Sequence, residues 1–131
     1  TTGALLTAHP EITAATIIMG TPDLSGYARL VRTNALQRNI YIPDDLERLT
    51  SWIANYDLSL QPEKIAGRPL LFWHGTNDRR IPYTMSKGFF DRVHGEDYAQ
   101  QVAFITGYKA GHLVETRLMD KIANFFEYYL E

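Results

Sequence analysis

Three short apolar runs, each bounded by turn residues, divide this chain. They cover residues 16–19, 70–73 and 102–105, and none contains a charged side chain. A short continuous apolar run between turn residues is typical of a strand buried on both faces, as in a parallel sheet. We therefore predict three parallel strands, each buried on both faces.

Helical spacing of apolar residues fills the intervals between these runs. Asp23 is the predicted N-cap of a first helix, and Asp44 with Glu47 three residues later resembles a capping box for a second. Residues 1–9 read as the end of a helix, and residues 57–68 as a polar connection. The predicted apolar faces are Leu24, Tyr27, Ala28, Val31 and Ala35; Leu46, Leu49, Ile53 and Tyr56; Met85, Phe89 and Val93; and Leu118, Ile122, Phe126 and Leu130, joined by Met119, Phe125 and Tyr129.

The alternation of helices and strands predicts an α/β fold with a parallel sheet and right-handed crossovers. Only three strands are present, and a sheet of three buried strands leaves at least one apolar edge open. We therefore expect further strands from outside these 131 residues. Association of two copies through the open edge is the other expected way to cover it.

Composition narrows the class of protein. Apolar residues make up 45% and charged residues 21%, which is ordinary for a globular domain, and the net charge of −2 argues against a nucleic-acid or anionic-membrane surface. The absence of cysteine excludes disulfides, thiolate metal sites and a cysteine nucleophile. No apolar stretch approaches the length of a membrane span, and we expect a cytoplasmic protein.

Two polar side chains follow consecutive predicted strands. Asp78 lies just beyond the second strand and His112 just beyond the third. The carboxyl ends of parallel strands are where α/β proteins bind ligands. An aspartate there could accept the Nδ1 hydrogen of a histidine on the neighbouring loop, as in a hydrolytic triad. Either residue alone could be an ordinary turn former, but the pair favours catalysis.

The other histidines and the serines fit catalysis less well. We expect His74 to be structural because it lies within a strand end, and we expect His9 and His94 to be exposed at helix ends. A hydrolase elbow needs Gly-x-Ser-x-Gly before the acid and the histidine. Ser86 is the nearest match, but it falls between the two and inside a predicted helix, so we expect it to be structural as well.

The stretch 69–82, followed by Gly111-His112 and an amphipathic terminal helix, resembles the last third of an α/β-hydrolase. More narrowly, it is similar to small bacterial esterases related to the prolyl oligopeptidase and dienelactone hydrolase families. Residues 57–64 resemble the segment before the acid strand in this subgroup. Residues 1–5 resemble the helix that follows its Gly-x-Ser-Met-Gly-Gly elbow.

This resemblance implies roles for particular residues. It implies that Asp78 is the triad acid and His112 the base, and that the serine lies roughly half a dozen residues before Thr1. Residues 23–66 would form a helical cap, and residues 67–131 would carry the acid and the histidine. Tyr27 and Trp52 would line an acyl pocket, or else serve only to pack the cap.

The sequence therefore predicts the C-terminal portion of a serine hydrolase acting on a small-molecule carboxylic ester. The missing N-terminal half would be its partner, and no metal or organic cofactor is implied. The chain alone is expected to be inactive because nucleophile and oxyanion hole are absent. A peptidase or thioesterase of the same fold, or a non-catalytic α/β binding or assembly module, stays open as an alternative.

Overall fold

A computed structural model describes residues 1–42, 45–114 and 116–131. In this part of the chain, the sheet has three strands, β1 (Ala15–Ile18), β2 (Leu70–Gly75) and β3 (Val102–Gly107), all parallel and in the order β1-β2-β3. The predicted α/β class is confirmed. The helices are α1 (Thr2–Ala8), α2 (Leu24–Gln37), α3 (Leu46–Ala54), α4 (Tyr83–Val93) and α5 (Thr116–Leu130), with short 3-10 helices at Pro62–Ile65 and Asp97–Ala99.

The strand register separates two apolar layers. Phe72 of β2 is paired with Ile17 on one side and with Phe104 on the other, and this face packs against α1 and α4. The next residue, Trp73, is paired with Ile18 and Ile105 on the opposite face, which packs against α5. Side chains alternate between the faces of a strand, so helices on both sides bury the central strand completely.

Burial on both faces holds only for β2, whose six residues are all buried. The prediction is wrong for the outer strands, because burial alternates along β1 while Ala103 and Thr106 of β3 are exposed. Helix α5 packs near the carboxyl ends of the strands, against Trp73 and Ile105, and leaves Ala103 uncovered.

The helix boundaries follow local signals. Asp23 caps α2 by accepting the Gly26 N–H at 2.7 Å, and Asn39 after α2 adopts a left-handed φ of 54°. The predicted cap Asp44 lies outside the described residues. The exposed His9 and His94 follow α1 and α4 directly, which confirms their position at helix ends.

The connection between α3 and β2 is more than a polar linker. Leu58 and Ile65 belong to the core with 0% and 1% exposure, and Asp57 is fully buried. Both oxygens of Asp57 are used, since they accept the Ser25 N–H at 2.8 Å, the Ser59 N–H at 2.9 Å and the Ser59 hydroxyl at 2.6 Å. The prediction missed this because a buried carboxylate and its partners read as polar in sequence.

A cavity of about 610 Å³ lies between α2 and α3 and also reaches the first residues of the chain. Its lining includes Leu24, Tyr27, Ala28, Val31 and Ala35 of α2 and Leu49 and Ile53 of α3. Helix α5 buries Leu118 and Ile122, but Leu130 at its end is 56% exposed. No helix within the described residues is long and apolar enough to cross a membrane.

Candidate active site

Asp78 lies three residues beyond the end of β2 and is buried, and one of its carboxylate oxygens is bonded by backbone N–H groups. Its Oδ1 accepts the N–H groups of Arg80 at 2.8 Å and Ile81 at 3.1 Å, which fixes the turn that follows. Its Oδ2 lies 2.8 Å from His112 Nδ1 and 3.1 Å from His74 Nε2. The structure thus brings the predicted pair, Asp78 and His112, into direct contact.

Backbone bonds between the two loops set this contact. The Thr76 N–H donates to the Gly107 carbonyl, and the Asn77 N–H donates to the Ala110 carbonyl, both at 2.9 Å. In the opposite direction, the Lys109 N–H donates to Thr76 Oγ1 at 2.8 Å. The loop after β2 and the loop after β3 are therefore held as one unit, with the carboxylate on one and the imidazole on the other.

Gly75 allows the histidine loop to approach. A Cβ built on Gly75 would lie 2.3 Å from the Ala110 carbonyl oxygen and 2.7 Å from that of Gly111. Any side chain at this position would push away the backbone that leads into His112. The His-Gly step at the end of β2 is therefore a steric requirement of the site.

The charge state of the pair suits proton transfer. Burial alone would raise the pKa of Asp78, but hydrogen bonds from His112, Ile81 and Arg80 outweigh it and hold that pKa below its usual value. The ionised carboxylate can only accept, so His112 carries its hydrogen on Nδ1 and presents Nε2 as the basic nitrogen. The His112 side chain is 29% exposed, and its Nε2 has no hydrogen-bond partner among the described residues.

A second histidine, whose contact with the acid sequence reasoning missed, bonds to the same carboxylate. His74 is 0% exposed, and its Nδ1 lies 2.8 Å from the hydroxyl of Ser86, which is also 0% exposed. The series Ser86, His74, Asp78 resembles a catalytic triad in composition. Because the serine is completely buried, it cannot meet a substrate. A histidine at the end of a fully buried strand needs polar partners, and that was the available signal.

No serine of this chain can serve His112. All four lie in described positions, and none of the three besides Ser86 bonds to His112: Ser51 bonds within α3, Ser59 bonds to Asp57, and Ser25 is buried in the first turn of α2. Among the described residues there is also no group of three or more acidic or histidine side chains arranged to hold a metal ion.

Tyr27 and Trp52 line the same 610 Å³ cavity, together with Thr1 and Ala4. Trp52 is 58% exposed, and its ring centre lies 5.0 Å from that of Tyr56. A smaller cavity of about 240 Å³ is lined by residues of α2 and by Arg80, which lies two residues after Asp78. Helix α2 therefore lies between the apolar cavity and the loop that carries the acid.

Fold and site together define an α/β protein that presents an aspartate–histidine pair at the carboxyl ends of adjacent parallel strands. Over 140 aligned residues, covering 99% of the chain, the sequence is 34% identical to the Bacillus subtilis (strain 168) protein named "Putative esterase YitV". This chain spans about half of that relative, 53% of its length. The predicted resemblance to small bacterial esterases is confirmed.

Structural comparison supports the fold. The crystal structure of TT1662 from Thermus thermophilus superposes with a TM-score of 0.64 over 97% of this chain and 48% of its own, at 20% sequence identity. At that identity the likeness concerns the fold alone. No family model matches the sequence.

Proposed function

We propose that this chain supplies the acid and the base of a Ser-His-Asp triad in a carboxylic-ester hydrolase. The observation that carries the proposal is the 2.8 Å contact between Asp78 Oδ2 and His112 Nδ1, with the opposite ring nitrogen left available. The similarity to a relative named as an esterase favours esters as the substrate class.

The proposed reaction uses His112 twice. Its Nε2 takes the proton of the serine hydroxyl as the serine oxygen bonds to the ester carbonyl carbon, and Asp78 stabilises the resulting imidazolium. The imidazolium then gives that proton to the departing alkoxide, which leaves an acyl-enzyme. A water molecule activated in the same way by Nε2 releases the carboxylic acid and restores the serine.

In this proposal the nucleophile belongs to a segment that precedes α1. Two observations support it: none of the four serines reaches His112, and the relative is about twice as long as this chain. The first residues of the chain also line the large cavity, which would place a preceding turn near bound substrate. The 131-residue chain by itself is then expected to lack esterase activity and to associate through the open edge of its sheet.

The cavity between α2 and α3 is the proposed site for the acyl group, with residues 23–66 acting as a cap. Its wall is almost entirely apolar, and Tyr27 and Trp52 supply aromatic surface to it. Ligand sites of this kind commonly combine an apolar wall with a few polar groups at one end. Asp78 and His112 do not line this cavity, so in this proposal the acyl chain lies in the cavity and the ester group extends past α2 to reach them.

Substitutions in the full-length protein test the proposal. His112→Ala and Asp78→Asn should each lower kcat/KM for p-nitrophenyl acetate by about 10³-fold or more, with little change in thermal stability for His112→Ala. The matched controls are His9→Ala and Asp91→Asn, both exposed and remote from the pair. Activity close to wild type in His112→Ala would refute the assignment.

A further inference from the structure

A buried polar chain behind the acid is the feature that the proposed mechanism does not use. It runs from the Gly20 carbonyl after β1, through the Ser86 hydroxyl on α4, to His74 in β2 and on to Asp78. It therefore ties three elements of the core to the one carboxylate oxygen that also meets His112.

The hydrogen bonds of this buried series, from Gly20 to Asp78, determine which atoms carry protons. A backbone carbonyl only accepts, so the single hydroxyl proton of Ser86 is donated to Gly20. Ser86 Oγ is then an acceptor toward His74, whose Nδ1 lies 2.8 Å away and must carry a hydrogen. On the other side of the ring, Nε2 faces two acceptors, Asp78 Oδ2 at 3.1 Å and the Ile81 carbonyl at 2.9 Å, so it must carry one as well.

We propose that His74 is a positioning residue held as an imidazolium, whose buried charge and Nε2–H fix Asp78 Oδ2 for its bond to His112. Each donor and acceptor in the series from Gly20 to Asp78 then has a partner. The opposite charges of His74 and Asp78 compensate each other, and both side chains are shielded from solvent. The inference rests on the proposed function for its catalytic consequence and on the hydrogen-bond geometry for the proton count.

The consequence concerns the basicity of His112. Oδ2 of Asp78 bonds to both imidazole rings. The positive charge of His74 therefore weakens the electrostatic stabilisation that the carboxylate provides to a protonated His112. The groups that face His74 are Asp78 from the loop after β2, Tyr83 from α4 with its ring centre 6.0 Å away, and His112 across the carboxylate. Removing the charge of His74 should therefore let His112 stay protonated to higher pH.

Ser86→Ala tests this with little disturbance, because alanine favours a helix and the lost group is one hydroxyl. Without the Ser86 oxygen, Nδ1–H of His74 has no acceptor, so the ring becomes neutral while Nε2–H still bonds to Asp78. His74→Gln likewise removes the charge but retains an amide donor. Ser59→Ala is the control, since it also removes a buried serine hydroxyl from a carboxylate system, that of Asp57.

Two readouts are made on the full-length protein. Proton–nitrogen correlation spectra at pH 8, where an exposed imidazole is neutral, should show both ring nitrogens of His74 protonated in the wild type and one in Ser86→Ala. The acid limb of the pH profile of kcat/KM should move upward by roughly half to one pH unit in Ser86→Ala and His74→Gln, but not in Ser59→Ala. KM should stay within about twofold, because no substrate contact is lost.

The two readouts separate this inference from the proposed function. A single protonated nitrogen on wild-type His74 at pH 8 would overturn the proton count, whether or not the protein hydrolyses esters. An acid limb unchanged in Ser86→Ala, in a protein that does hydrolyse esters through His112, would overturn the positioning role. Failure of hydrolysis itself counts against the triad and leaves the ring-nitrogen count to decide the state of His74.

Discussion

Gly75→Ala tests whether the geometry between the two loops, and not merely the presence of Asp78 and His112, supports catalysis. The added Cβ would lie 2.3 Å from the Ala110 carbonyl oxygen, whereas ordinary contact begins at 3.4 Å. The backbone fixes the position of the Cβ, and the carbonyl is itself a backbone group, so no side-chain rotation can relieve the overlap. The histidine loop must therefore retreat by about 1 Å to restore van der Waals contact.

A retreat of that size is large for a hydrogen bond. The 2.8 Å separation between Asp78 Oδ2 and His112 Nδ1 would grow toward or beyond the limit for such a bond. We expect kcat/KM for a short-chain ester to fall by about a hundredfold, since a misplacement of about 1 Å costs that much in enzymes. Overpacking should also lower the free energy of unfolding by about 1–3 kcal/mol.

Gly88→Ala is the matched control. Gly88 lies inside α4, and a Cβ there would meet nothing within 4 Å. Alanine replaces glycine favourably in a helix, so this variant should be more stable by roughly 0.5–1 kcal/mol, with unchanged activity. Ester hydrolysis and urea unfolding are measured on both variants. A folded Gly75→Ala protein with kcat/KM within twofold of wild type would refute the claim that the close loop approach positions His112.

Three further substitutions probe the fold and the cavity. Arg68 donates to the carbonyls of Leu6, His9 and Ile12 and so holds the end of α1 against the sheet. Arg68→Lys should therefore lower the free energy of unfolding, measured in urea, by about 2–4 kcal/mol. The control Arg48→Lys, at an exposed position, should change it little. Burial alone would raise the pKa of Asp57, but hydrogen bonds from Ser25 and Ser59 outweigh burial and hold that pKa below its ordinary value. The ionised carboxylate therefore stabilises the fold fully above the ordinary pKa of about 4, and this stabilisation is lost as the pH falls through the lowered pKa of the folded state. Asp57→Asn should therefore cost more stability at pH 7 than at pH 3, and an equal cost at both would contradict this. Trp52→Ala should raise KM for a hexanoate ester by roughly tenfold but leave that for an acetate nearly unchanged, and equal effects on both would argue against an acyl site in the cavity.

Much of the fold was readable from sequence because the signals were local. Each apolar run became a strand of the parallel sheet, and Asp23 caps α2 as predicted. The burial of β1 and β3 was overestimated because a run such as that of 102–105 does not reveal how far a helix extends over it. Only the packing of α5 against Trp73 and Ile105 determines that Ala103 is exposed.

The candidate site was predictable only as far as the chain order of its elements. Asp78 and His112 follow consecutive strands, so adjacency in the sheet was enough to bring them together. The contact of His74 with the acid depends on the turn that brings Asp78 back to the end of β2. The orientation of the His74 ring also depends on Ser86 of α4, 12 positions away. Contacts of that kind arise from packing, which a pattern of residue types does not specify.

A double-substitution cycle on kcat/KM in the full-length protein tests the central claim, that Asp78 and His112 act as one unit. If they do, His112→Ala should lower kcat/KM for p-nitrophenyl acetate by about 10³-fold or more, and adding Asp78→Asn should cost almost nothing further, because triad members are grossly non-additive. Losses that multiply in the double variant, or a single variant with near wild-type turnover, would contradict the account.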